Sequence, residues 1–204
     1  MILRTTRWAR LLAVGLALGL GACGPFASPS APGTIPPTAS PSASSGPTGS
    51  PPVTSSVAVD PSLLGVLPET VDGIAIAESG DGEAEALSDP GLAAVARAVA
   101  AGLAVDPTTG EFVYAVVVRL RSGAMTDERF RDWRDSFDEG ACSQASGVTG
   151  NAQAQIGGRT VFIGSCGGGV RTYHVWLAEP GLLVSASAVG ERRLGERLVE
   201  GLRP

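Results

Sequence analysis

Chemistry in this 204-residue chain has to come from a short inventory. There is one histidine, His174, and there are three cysteines, Cys23, Cys142 and Cys166. Fifteen basic residues, every one an arginine, face 20 acids. With no lysine, Schiff-base and phosphate-loop lysine chemistry are excluded. Gly164-Ser165-Cys166-Gly167-Gly168 is the one stretch with the look of a nucleophile loop, but it lacks the Gly-x-Ser-x-Gly spacing of a nucleophile elbow. His174 is the sole histidine base for Ser165, and a base acts only within hydrogen-bond reach of its nucleophile. Spacing establishes no such contact, and a histidine satisfied on a sheet surface is the favoured reading. Cys142 and Cys166 have no Cys-x-x-Cys spacing to tune a reactive thiol. One His and two Cys do not make a zinc set, and Asp127, Glu128 and Asp132 would need oxygen ligands from elsewhere. Glu78, Asp81, Glu83 and Glu85 cluster without the Asp-x-Asp-x-Asp-Gly calcium pattern. The glycine-rich turn has no strand-to-helix setting in which to cradle phosphate. No catalytic residue, metal ligand or cofactor-binding residue is assigned, and a net charge of −5 argues against a nucleic-acid partner.

The elements that would position these groups are legible in the pattern of apolar residues. Gly73-Ile-Ala-Ile-Ala77 reads as a short strand, and the acidic run Glu78 to Glu85 as a loop. Asp89-Pro90 has the form of a helix start, and Leu92, Val95, Val99 and Leu103 continue at helical spacing until Asp106-Pro107. Phe112 to Leu120 is β-branched and aromatic, as an inner strand would be. Thr126 is placed as the N-cap of a helix ending at Gly140, with Phe130, Trp133 and Phe137 as its buried stripe. Asp127–Arg131, Arg131–Asp135 and Arg134–Asp138 lie four apart on what reads as its solvated face. Gly157-Gly158, Gly167-Gly168-Gly169 and Glu179-Pro180-Gly181 punctuate strands over 152–156, 159–166, 170–178 and 182–189. Leu194, Leu198 and Leu202 mark a closing helix over 191–202. The order predicts an α+β fold: a mainly antiparallel sheet with a carboxyl-terminal four-strand meander and about three helices packed on one face.

The amino terminus has a different character. Arg4, Arg7 and Arg10 precede the apolar run Leu11 to Leu20, which is followed by small residues, the pattern of an export signal. Ten apolar residues would span roughly 15 Å as a helix, half a bilayer's hydrocarbon core. The segment ends Leu20-Gly21-Ala22-Cys23, which resembles the lipobox of bacterial lipoproteins. That resemblance covers about the first 23 residues. It implies that residues 1–22 are removed as a signal peptide and that the thiol of Cys23 receives a diacylglycerol, often with a further acyl chain such as palmitate on the new amino group. At ~0.8 kcal/mol per buried methylene, two or more chains hold a protein stably where one is marginal.

From Gly24 to Asp60 the chain contains nine Pro, nine Ser, four Thr, four Gly and five Ala, with Asp60 its only charge. Such a tract buries too little apolar surface to offset its ordering entropy and is expected to be a disordered linker. Its reach lies between about 35 Å as a coil and about 110 Å as polyproline. The organisation expected is a signal peptide over 1–22, a lipidated cysteine and linker over 23–60, and a single globular domain over 61–204. Without Arg4, Arg7 and Arg10, 12 arginines face 20 acids, a charge of −8 that offers no polybasic second anchor. If Cys23 is lipidated, Cys142 and Cys166 remain as a pair in an oxidising compartment, where a disulfide between them is expected.

The function expected is that of a lipid-anchored lipoprotein on the extracytoplasmic face of the cell membrane. Its domain would be a non-catalytic module for a protein, a wall component or a small ligand. Trp133, Trp176, Tyr114 and Tyr173 are the aromatics that could line a recognition surface, although core placement is the default for each. Two alternatives stay open. One is a hydrolase using carboxylates alone on an envelope component. The other is a structural accessory to a membrane sensor or transporter.

Overall fold

A computed structural model of the chain describes residues 56–203. The expected signal peptide, the lipidation site Cys23 and nearly all of the expected linker lie outside the described residues. Sheet pairing begins at Ala58–Val59 (β1), inside the tract assigned to the linker, where the chain runs parallel to Ala98–Val99.

Ten strands and four α-helices follow in the order β1, β2 (Thr70–Val71), β3 (Ile74–Ala75), β4 (Ala77–Glu78), α1 (Gly80–Ser88), α2 (Pro90–Val95), β5 (Ala96–Val105), β6 (Phe112–Leu120), α3 (Asp127–Cys142), β7 (Val148–Ile156), β8 (Arg159–Cys166), β9 (Arg171–Leu177), β10 (Leu182–Val189) and α4 (Leu194–Glu200). A 3-10 turn, Pro61–Val66, precedes β2. The main sheet has the order β1-β5-β6-β10-β9-β8-β7, with β4 also pairing β5, and all its pairs but β1–β5 are antiparallel. The fold is therefore α+β, and the carboxyl-terminal meander is present as expected.

Three expected elements differ. Gly73–Ala77, read as one strand, is split at Ile76 into β3, which pairs with β2 in a separate two-stranded sheet, and β4, which pairs with β5. The helix read from Pro90 to Leu103 stops at Val95, and residues 96–105 form a strand. β5 is buried on both sides because elements cover both faces of the sheet, so its sequence is a continuous apolar run. Such a run does not distinguish strand from helix by periodicity, and pairing with β6 over nearly its whole length overrides the helix preference of its alanines. The acidic run read as a loop becomes α1. Ser79 caps it, its Oγ accepting the Gly82 N–H at 3.2 Å, and Asp81 and Glu83 occupy the favourable first turn.

The helices also divide between both faces, where one face was expected. Alternation along β10 shows why. Leu182, Val184, Ala186 and Ala188 join a core with Leu194 and Leu198 of α4, with Leu202 just beyond it, and with Leu63 and Leu67. Leu183 points the other way, into a cluster with Leu92 and Val95 of α2, Met125 just before α3, and Phe130 of α3. A sheet apolar on both faces must be covered on both. α4 comes down directly on the Tyr173 ring because Gly195 has no Cβ; a methyl there would collide with the ring.

Cys142, at the end of α3, and Cys166, at the end of β8, are joined as a disulfide with their Cα atoms 5.2 Å apart. The bond ties α3 to the meander. Among the described residues, no helix is long and apolar enough to cross a membrane.

Candidate functional site

α3 lies across the sheet and covers a chain of buried polar groups. Thr172 and His174 on β9, and Ser185 and Ser187 on β10, occur in apolar strands at alternate positions and so face α3. Ser185 pairs with His174, and Ser187 with Thr172, across the two strands. Asp138 of α3 is only 4% exposed, His174 1% and Ser185 0%. His174 Nε2 lies 2.8 Å from Asp138 Oδ1, and Nδ1 lies 2.9 Å from Ser185 Oγ. Trp133 donates its indole N–H to Ser185 Oγ at 2.8 Å. Thr172 donates to Asp138 Oδ1 at 2.5 Å and accepts the Gly164 N–H at 3.1 Å.

These contacts assign the roles. A carboxylate only accepts, so His174 Nε2 carries the proton towards Asp138; Nδ1 accepts from the Ser185 hydroxyl in the neutral ring and donates to it in the imidazolium. Ser185 Oγ in turn accepts from Trp133. Each member is satisfied, as buried polar groups must be. Asp, His and Ser in contact are the residue types of a hydrolytic triad. Here, however, the serine oxygen is sealed beneath Trp133, with no exposed surface for an acyl carbon to approach. The arrangement locks α3 onto the sheet.

Sequence reasoning placed some of these groups correctly and missed others. His174 is satisfied, as expected, but it lies under α3 and not on an open surface. Ser165 is opposite Arg171 while His174 is opposite Phe162, so the Ser165–His174 pairing does not form. Asp138 was read as part of a solvated face, partnered by Arg134. Instead it turns inward, and the Arg134 guanidinium lies 4.1 Å from the Phe162 ring centroid and 5.3 Å from that of Phe130, in cation–π contact. Glu83, one of the acids weighed for calcium, is buried and accepts the Ala101 N–H at 3.4 Å. Among the described residues no group of His, Cys, Asp and Glu side chains could hold a metal ion.

Open space flanks α3 on both sides. Towards β7 and β8, a cleft of about 330 Å³ is lined by Arg131, Arg134, Asn151 and Gln153, beside Asp138 and His174. Towards α1 and α2, two adjoining hollows of about 640 and 400 Å³ share Asp89, Trp133 and Ser136. Tyr114, Val116, Phe137 and Ser187 line the larger, and Val95 and Met125 the smaller. Glu85 stands at one end of this groove, Arg129 and Asp132 at the other. Its volume lies in the range of small-molecule sites, and its lining mixes apolar and aromatic side chains with polar and charged ones. Of the four aromatics singled out from sequence, Trp133 and Tyr114 line the groove, Tyr173 is in the core, and Trp176 packs against Phe130 with centroids 5.8 Å apart.

Burial, helped by the nearby charges of Glu85 and Glu83, pushes the Tyr114 phenol up to about 12. Burial likewise raises Tyr173, with Glu196 adding to it. These are the chain's two tyrosines. Because the folded state holds both protons more tightly, their contribution to stability is intact below the unfolded value near pH 10 and is lost as pH rises through the folded values, about 12 for Tyr114. An absorbance titration at 295 nm should therefore show clearly less tyrosinate in the native protein at pH 10 than in the urea-unfolded chain, which is half ionised there; matching curves would contradict the burial of these rings. No protein-family model, curated protein or solved structure matches the chain.

Proposed function

We propose that the protein is a lipoprotein held at the extracytoplasmic face of the membrane by acyl chains on Cys23, and that its domain is a binding module whose ligand groove runs between α1–α2 and α3. The observation that carries the binding reading is the groove beside Trp133. It joins apolar and aromatic side chains to polar ones, with Asp89 and Ser136 where the two hollows meet. The polar cluster behind the groove favours binding over catalysis, because Ser185 is buried with its oxygen already engaged by Trp133 and His174. The signal-like amino terminus, the Leu20-Gly21-Ala22-Cys23 motif and the proline-rich tract support the location, and the Cys142–Cys166 disulfide accords with an oxidising compartment.

Two experiments test the two halves. Cys23→Ser should move the protein from the membrane fraction to the soluble fraction and block processing; full membrane retention would contradict the anchor. Ser136 is exposed on α3 and borders both hollows, so Ser136→Trp should fill the groove while leaving the core intact. Native mass spectrometry of protein isolated from its own envelopes should find a small molecule retained by the wild type and lost from this variant. Equal occupancy in both, or none in either, would contradict the groove.

A further inference from the structure

We infer that the outer edge of β7 is an interaction edge that pairs antiparallel with β7 of a second copy, joining two sheets into one. The main sheet ends in two unlike strands. At one end is the two-residue β1; at the other, nine-residue β7 is paired only with β8 among the described residues. A bulge lies between Val148 and Gly150, and residues 150–156 then run in regular register with β8. Gly157 and Gly158, both at positive φ (57° and 75°), make a two-residue turn between the strands. Such a turn makes Ile156 and Arg159 a hydrogen-bonded pair, and the alternation of an antiparallel ladder then directs the N–H and C=O of Asn151, Gln153 and Gln155 outward.

Natural sheets blunt an open edge with charge, proline or short length. Past the bulge at the start of β7, itself a device that blunts an edge, residues 150–156 have none of these: Gly-Asn-Ala-Gln-Ala-Gln-Ile contains no charged residue and no proline, and most of its side chains are exposed. The same sequence selects the partner. Two identical antiparallel strands set each residue opposite itself or a close neighbour, so any acid or arginine near the centre would meet its own charge. With Gln153 opposite Gln153 of the second copy, Asn151 lies opposite Gln155. The amides on that face can then bond across the junction, and small Ala152 and Ala154 leave room on the other. The chain's own amino-terminal tract is a poor competitor: between residues 24 and 52 no proline-free run exceeds five residues, and proline cannot donate to a ladder.

The test is sedimentation equilibrium of the full chain in density-matched detergent at rising concentration, with hydrogen exchange read over residues 150–156. The wild type should form a reversible dimer, and the outward amides of Asn151, Gln153 and Gln155 should gain protection as concentration rises. Gln153→Arg sets like charges opposite each other, and Gln153→Pro removes an outward N–H without touching the β8 ladder. Each should weaken dimerisation by about tenfold or more, and Gln153→Arg should melt close to the wild type. A wild type monomeric at every concentration would overturn the proposal, as would dimers of equal strength in both variants. So would protection of the β7 amides that does not depend on concentration, which would show that another segment or another protein holds the edge.

Discussion

Asp138→Ala should lower the unfolding free energy by about 2–6 kcal/mol, the cost of stranding two buried hydrogen-bond donors. The carboxylate is 4% exposed and accepts from both His174 and Thr172. Without it two donors are stranded under α3, where water cannot replace the lost acceptor, at about 1–3 kcal/mol each. Asp138→Asn keeps an oxygen at the same position and should cost roughly half as much, so the difference between the two variants isolates the lost acceptor from lost packing. Urea unfolding followed by circular dichroism would measure both, with an unchanged m-value as the sign that only stability has moved. Equal costs for Ala and Asn, or a cost below about 1 kcal/mol for Ala, would show that the cluster does not secure α3.

Opening the Cys142–Cys166 bond should be nearly as damaging. The two cysteines are 24 residues apart in sequence, and closing a loop of that length is worth roughly 3 kcal/mol in the chain-entropy model. For a domain of this size that corresponds to a fall in melting temperature of roughly 10 °C. The double variant Cys142→Ala/Cys166→Ala and reduction of the native protein should give similar losses, read by differential scanning calorimetry with and without reductant. A change under about 1 kcal/mol in both would contradict the staple. Cys142 lies one turn beyond Asp138 on the same helix. The two losses should therefore not add: a freed helix end already weakens the contacts that Asp138 makes.

How much of this was legible in the sequence depended on whether a residue's partners were local. The meander was readable because glycine turns punctuate it and each strand pairs with the next. α3 was readable from Thr126 and the Phe130, Trp133, Phe137 stripe. β5 was not, because burial on both faces erases the alternation that identifies a strand, and what decides its state is pairing with β6, outside any local window. Asp138 was misplaced for a related reason. Four residues from Arg134 on a charged helix, it has the spacing of a surface ion pair, and only the crossing of α3 over β9 and β10 brings it to His174. A signal did exist. Thr172, His174, Ser185 and Ser187 are polar at alternate positions in otherwise apolar inner strands, and such groups require a polar partner from whatever covers them. The groove between α1–α2 and α3 was beyond reach, since α1 itself had been read as a loop and one of its walls was missing.

Display of this domain outside the cytoplasm on a lipid anchor, as proposed, is probed most directly by mass spectrometry of the amino-terminal peptide from the membrane fraction. Such an anchor requires a chain beginning at Cys23 and carrying a diacylglyceryl thioether. A chain that still begins at Met1, or a Cys23 without acyl groups in protein recovered from the cytosol, would contradict it.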